Sequence, residues 1–169
     1  MTRMGYGKDA KLAAGTEYLA IKDTLIRGEE VTMRDYVGDL IDELGDKGFK
    51  VLAFPCNQFL SQEPGGEPEI VATINKFGGM RDRLILFSKA DVNGAKARPV
   101  FTYLKEALPF KDGTTNVQWN FGKFLIDHEG TPVKRYGSKT EPFKMKADIE
   151  ALLAKRNGET TTHEIVQED

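Results

Sequence analysis

Cys56 is the chain's one thiol, and His128 and His163 are its two imidazoles. That inventory limits the chemistry. A single cysteine rules out an internal disulfide and a multi-cysteine zinc site, and with only two histidines beside it no protein-borne metal centre is expected. Neither histidine lies in a partner motif of the kind a cysteine hydrolase uses. Thiol chemistry must therefore use Cys56 alone or recruit a thiol from outside. Cys56 closes the apolar run Phe49–Pro55, and a cysteine so placed is more often a small buried hydrophobe than a nucleophile. The remaining candidates are neutral and polar: Gln58 in a loop rich in Gly and Pro, and the adjacent pair Trp119 and Asn120. By residue type alone these read as a solvated loop side chain, a core aromatic and a turn or cap residue.

The elements that must position these residues alternate between strand and helix patterns. Residues 1–16 read as a flexible lead-in, 17–155 as one domain and 156–169 as a polar, disordered tail. Tyr18–Ile26 and Glu30–Met33 flank a glycine turn and predict a hairpin. Asp39–Leu44 has helical spacing and a glycine stop after it. Phe49–Phe54 predicts a buried strand, Glu67–Phe77 a helix and Leu84–Val92 a further strand. Pro99–Leu108 begins with proline, which suits the first turn of a helix. Phe121–Asp127 and Pro132–Tyr136 predict a second hairpin, and Phe143–Lys155 a closing amphipathic helix. This order implies an α/β architecture with helices covering a mixed sheet. At 169 residues one hydrophobic core is sufficient. A net charge of −2 offers no field for nucleic acid or anionic membrane, and no apolar run is long enough to span a bilayer. A soluble, cytoplasmic protein is the expectation.

Three blocks carry a specific resemblance. Phe54-Pro55-Cys56-Asn57-Gln58-Phe59, followed by Gln62-Glu63-Pro64-Gly65, is one. Asp91-Val92-Asn93-Gly94 with Pro99-Val100-Phe101 is the second, and Trp119–Asp127 running on to Arg135-Tyr136-Gly137 is the third. Together they resemble the glutathione peroxidases, from Phe49 almost to Leu153. The resemblance implies a thioredoxin-like fold, thiol-dependent reduction of hydroperoxides in oxidative-stress defence, and no bound cofactor. Glutathione or another external thiol is the implied co-substrate. The family site comprises a cysteine or selenocysteine, a Gln, a Trp and an Asn, which the resemblance carries to Gln58, Trp119 and Asn120. Their neutral N–H donors favour an anionic chalcogen and a departing oxygen without adding a buried countercharge. Cys56 is the one thiol left, although the resemblance aligns it with the cysteine beside the Gln and not with the attacking residue.

The attacking residue belongs to an N-V-A-S-[CU]-G-type block that is missing here. Tyr36-Val37-Gly38 passes directly into Asp39–Leu44, which resembles the second half of the helix after that block. About 20 residues are lacking: a central strand, the catalytic turn and the helix start. The sheet then has three options. It can close up, draw the amino-terminal hairpin into the vacancy, or lose stability. The helix Glu67–Phe77 lacks a resolving cysteine, which disfavours thioredoxin as reductant, and the short connection from Leu108 to Trp119 implies a monomer. Two other readings stand beside the peroxidase: a non-catalytic thioredoxin-like binding module, and the incomplete gene product of an active enzyme.

Overall fold

Apolar residues alternate along the central segments, and each set faces a separate layer of the computed structural model, which describes residues 18–20, 39–76 and 84–167. Among the described residues five strands form one sheet: β1 (Tyr18–Ala20), β2 (Val51–Ala53), β3 (Leu84–Leu86), β4 (Lys123–Ile126) and β5 (Pro132–Tyr136). Their order is β3-β2-β1-β4-β5. β2 runs parallel to both β1 and β3, whereas β4 runs antiparallel to β1 and β5. Residues from the amino-terminal segment occupy the centre of the sheet, with Leu19 opposite both Val51 and Leu125. The remainder of the expected hairpin, through Met33, lies outside the described residues.

The period of two sorts the strands between two cores. Val51 and Ala53 of β2 and Leu125 of β4 join Leu40, Ile41, Leu44, Ile149, Leu152 and Leu153 on one face. Leu52, Phe124 and Ile126 join Phe54, Cys56, Phe101 and Leu104 on the other. Helices α1 (Asp39–Leu44) and α4 (Lys146–Arg156) thus cover the first face, with Ile70 of α2 (Glu67–Lys76), while α3 (Pro99–Ala107) covers the second. Burial on both faces explains why β2 reads as a continuous apolar run. α1 stops in a 3-10 turn at Gly45–Lys47, and Gly48 follows at φ 109° with its N–H on the Gly45 carbonyl. Only glycine adopts that conformation without strain, and the Arg156 guanidinium fills the space a side chain would need.

Two sequence expectations are corrected. The third strand ends at Leu86 instead of Val92. The Arg98 guanidinium takes both the carbonyl and the hydroxyl of Ser88, and Ala90 N–H bonds to Pro55 O, so the chain leaves the ladder while remaining tied to it. The tail after Arg156 touches the body of the protein at a few positions. Ile165 packs against the first core. Gln167 donates to Val133 O (2.7 Å) and accepts from Arg135 N (3.3 Å), which satisfies outward-facing backbone groups of β5. His163 Nε2 meets the buried Asp148 Oδ1 at 2.5 Å. A few anchored positions suffice to dock a segment whose composition is polar overall. The closing helix also begins differently from the expectation, with a 3-10 turn at Pro142–Met145 before α4.

Candidate active site

The loops at the ends of β2 and β3 and the segment entering β4 converge on the side of the sheet covered by α3. Each is fixed by hydrogen bonds that span long sequence separations. After β2, Phe54 stacks on Phe87 at 4.3 Å and meets Phe101 edge-on at 5.3 Å. This aromatic packing buries the start of the loop and carries Cys56 inward to 1% exposure. The Cys56 thiol faces Gln58: its S–H points at Gln58 Oε1 (3.6 Å), and Gln58 N–H points at the sulfur (3.4 Å). Cys56 is thus a buried residue of the second core.

The Gln58 amide is bonded to backbone groups of the loop after β3. Its Oε1 accepts from Val92 N and Asn93 N, both at 2.9 Å, and its Nε2 donates to Asn93 O at 2.9 Å. The amide is used at both ends to clamp the Asp91–Gly94 turn. Asn93 passes the constraint on. Its Nδ2 donates to Val117 O (2.8 Å) and its Oδ1 accepts from Val117 N (2.9 Å), two residues ahead of Trp119. Lys105 of α3 completes the hub, donating to Val92 O (2.7 Å) and Asn93 Oδ1 (3.2 Å). Burial lowers the Lys105 pKa, the charge of Arg135 lowers it further, and Glu106 partly offsets both.

Gln62 is the amide that meets the tryptophan–asparagine pair. Asn120 Nδ2 donates to Gln62 Oε1 at 2.6 Å across 58 residues of sequence. Phe59 and Trp119 bring the same two loops together, with ring centroids 5.9 Å apart. Asn120 is buried, Trp119 half-buried and Gln62 exposed. The loop bearing Gln62 is held from below by Asn57 Oδ1, which accepts Glu63 N (3.0 Å), and by Lys89 Nζ on Glu63 O (2.9 Å) and neighbouring carbonyls. Among the described residues, the non-glycine residues with positive φ are Leu60 (51°), Ser61 (52°) and Phe121 (66°). They immediately precede Gln62 and immediately follow Asn120. Left-handed backbone at non-glycine residues costs roughly 1–2 kcal/mol apiece and gathers where a side chain must be aimed. Among the described residues, neither the Trp119 indole N–H nor the Gln62 amide N–H2 has a hydrogen-bond partner. The arrangement presents neutral donors at a partly open surface, suited to an anion that forms there.

Comparison with known proteins points to one family. Residues 27–105 match the family model described as glutathione peroxidase. The hydroperoxy fatty acid reductase gpx1 of Synechocystis sp. is 47% identical over 119 residues, taking in 68% of this chain and 69% of the relative. The chain belongs to the glutathione peroxidase family. The glutathione peroxidase homolog BsaA of Halalkalibacterium halodurans is 40% identical over 153 positions, covering 76% of this chain and 94% of the relative. Since 153 positions exceed 76% of 169 residues, part of that alignment sets the relative's residues against gaps in this chain. The crystal structure of T. cruzi GPX1 superposes with a TM-score of 0.59 at 29% identity, over 83% of this chain and 84% of that one.

In this glutathione peroxidase the structure brings together Trp119 and Asn120 of the residues chosen from sequence, while the Gln58 amide is bonded to Val92 and Asn93 instead. Gln58 is a clamp, and Gln62 stands with the pair. The signal for Gln62 was already present in the Gln62-Glu63-Pro64-Gly65 block, but two glutamines four residues apart are chemically equivalent on paper. Among the described residues no His, Cys, Asp and Glu group could hold a metal ion, and no helix is long and apolar enough to cross a membrane.

Proposed function

We propose that the chain reduces hydroperoxides at the expense of an external thiol, with glutathione as the co-substrate, as a cytoplasmic monomer in oxidative-stress defence. The observation that carries this reading is the Asn120–Gln62 hydrogen bond beside Trp119, which ties together the two loops that bear these neutral donors. The short connection from Leu108 to Trp119 supports the monomer, and the name of the Synechocystis relative suggests fatty acid hydroperoxides among the substrates. Purified protein with glutathione, glutathione reductase and NADPH should consume tert-butyl hydroperoxide and linoleic acid hydroperoxide. Trp119→Phe should reduce the rate about 10-fold or more, the usual scale for losing a donor to developing charge. Turnover indistinguishable from buffer overturns the reading.

The burial of Cys56 favours one competing reading, a non-catalytic binding module, which an inert protein of normal stability would support. Sequencing the transcript across Gly38–Asp39 tests the remaining one. Recovery of an N-V-A-S-[CU]-type segment there would make this chain the incomplete product of an active gene.

A further inference from the structure

Among the described residues β5 ends the sheet, and at five residues it is the longest strand there. Its inner edge is paired with β4. An outer edge of backbone N–H and C=O groups invites another chain to add a strand, and proteins blunt such edges with charged side chains, proline or a covering segment. The two cations of β5 do not blunt this one. Lys134 is 8% exposed and pairs with the buried Asp148 at 2.8 Å. Arg135 is 4% exposed and donates to the carbonyls of Leu108, Thr115 and Asn116. Pro132 stands only at the start of the strand.

The tail covers the edge instead. The Gln167 side-chain amide donates from Nε2 to Val133 O (2.7 Å) and accepts at Oε1 from Arg135 N (3.3 Å). A residue of a parallel neighbouring strand makes the same two bonds to the residues flanking its partner. One side-chain amide therefore stands in for a strand residue opposite Lys134. Ile165 anchors the segment in the first core, and His163 Nε2 meets Asp148 Oδ1 at 2.5 Å. Between α4 and these anchors, residues 157–162 are exposed and belong to no helix or strand.

We propose that residues 163–167 are a strap that guards the β5 edge, and that its release lets β5 pair antiparallel with β5 of a second copy of this chain. A second copy fits because two identical edges related by a two-fold axis are self-complementary, each outward donor meeting an acceptor of its counterpart. The strap holds through side chains, so it can leave without breaking a bond within the sheet. Its release also uncovers the part of the first core that Ile165 covers, which adds to the drive to associate.

The test is the mass in solution of the full chain and of a chain ending at Glu159. That end keeps the α4 caps, Asn157 N–H on Leu153 O and Glu159 N–H on Ala154 O. The full chain should sediment as a monomer at about 10 and about 100 µM, whereas the shortened chain should reach twice its monomer mass over that range. Ile165→Asp in the full chain removes the anchor, keeps the length and should dimerise likewise; it decides the matter if the shortened chain does not fold. Amide exchange locates the contact. Arg135 N–H should exchange about 10-fold faster in the dilute shortened chain than in the full chain, and regain protection as dimers form. Val133 N–H shares the outward edge with its carbonyl, so Val133→Pro in the shortened chain removes an edge donor and should restore the monomer.

Monomers throughout overturn the proposal, as does a full chain that dimerises to the same extent as the shortened one. A dimer that survives Val133→Pro while Arg135 exchange stays fast forms through another surface, and overturns it too. None of these outcomes depends on peroxide turnover.

Discussion

At the scale of single residues, two glutamines four positions apart divide into an anchor and a donor because of what each can reach. Gln58 satisfies the backbone N–H groups of Val92 and Asn93. Truncating it leaves those donors to water or to nothing, and Gln58→Ala is expected to cost about 1–2 kcal/mol in urea unfolding. Gln62 makes one side-chain bond at a solvent-facing position. Gln62→Ala is expected to change stability by less than about 1 kcal/mol while lowering glutathione-dependent turnover about 10-fold or more. The reverse pattern would return the site to Gln58. Leu60 offers an independent check on backbone strain, since it is 78% exposed at φ 51°. Leu60→Gly sheds the left-handed penalty without losing a packed side chain and should stabilise by about 1 kcal/mol, read from the urea midpoint.

At the scale of elements, buried cations hold loops that have little hydrophobic surface of their own. Arg135 of β5 donates to Leu108 O (3.2 Å), Thr115 O (2.9 Å) and Asn116 O (2.8 Å), fixing the connection that leads into Trp119. Phe110 and Phe124 flank its guanidinium at 3.9 and 5.0 Å. Burial pulls the Arg135 pKa down to about 10, and Asp112 partly offsets it, so the side chain is cationic at neutral pH. A lysine keeps that charge but cannot reproduce the planar fork. Arg135→Lys should therefore destabilise by about 2–3 kcal/mol and shift Trp119 emission to the red as the connection loosens. An unchanged emission maximum would show that Asn93 alone positions Trp119.

At the scale of the molecule, Asp148 joins the sheet, the closing helix and the tail. Its carboxylate accepts from Lys134 Nζ (2.8 Å) and Tyr136 Oη (2.6 Å) on β5, and faces His163 Nε2 at 2.5 Å. Burial opposes its ionisation, but the hydrogen bonds from Lys134, Tyr136 and His163, together with the Lys134 charge, prevail and lower its pKa from the ordinary 3.8. A carboxyl with a folded pKa below its unfolded one stabilises fully above the unfolded value. That contribution is lost as the pH falls through the folded value. Acid unfolding should accordingly show a loss of stability beginning near pH 4 and continuing below it. Asp148→Asn should flatten that dependence and cost about 3 kcal/mol at neutral pH, since it leaves Lys134 buried without its counter-charge. Thermal melts between pH 2.5 and 7 would read both effects, and an unaltered acid limb in the variant would assign the loss to another carboxylate.

The sequence by itself determined whatever depends on neighbours along the chain. A continuous apolar run placed β2, a hairpin pattern placed β4, proline and apolar spacing placed α3, and the Asn120 and Gln62 blocks marked the family, because apolar patterning and motif order are local properties. It also determined that no second thiol exists. Tertiary structure alone decided which glutamine meets Asn120, since Asn120 lies 58 residues from Gln62 and the turn that Gln58 clamps lies 34 or more residues from Gln58. It decided that Cys56 shares a buried cluster with Phe54, Phe59 and Phe101, and that Ile165 and Gln167 draw a polar tail onto β5. It placed Tyr18–Ala20 in the centre of the sheet, next to β2 and β4. Hydrogen-bond partners and burial are relations between distant segments, and they are fixed only when the sheet brings those segments together.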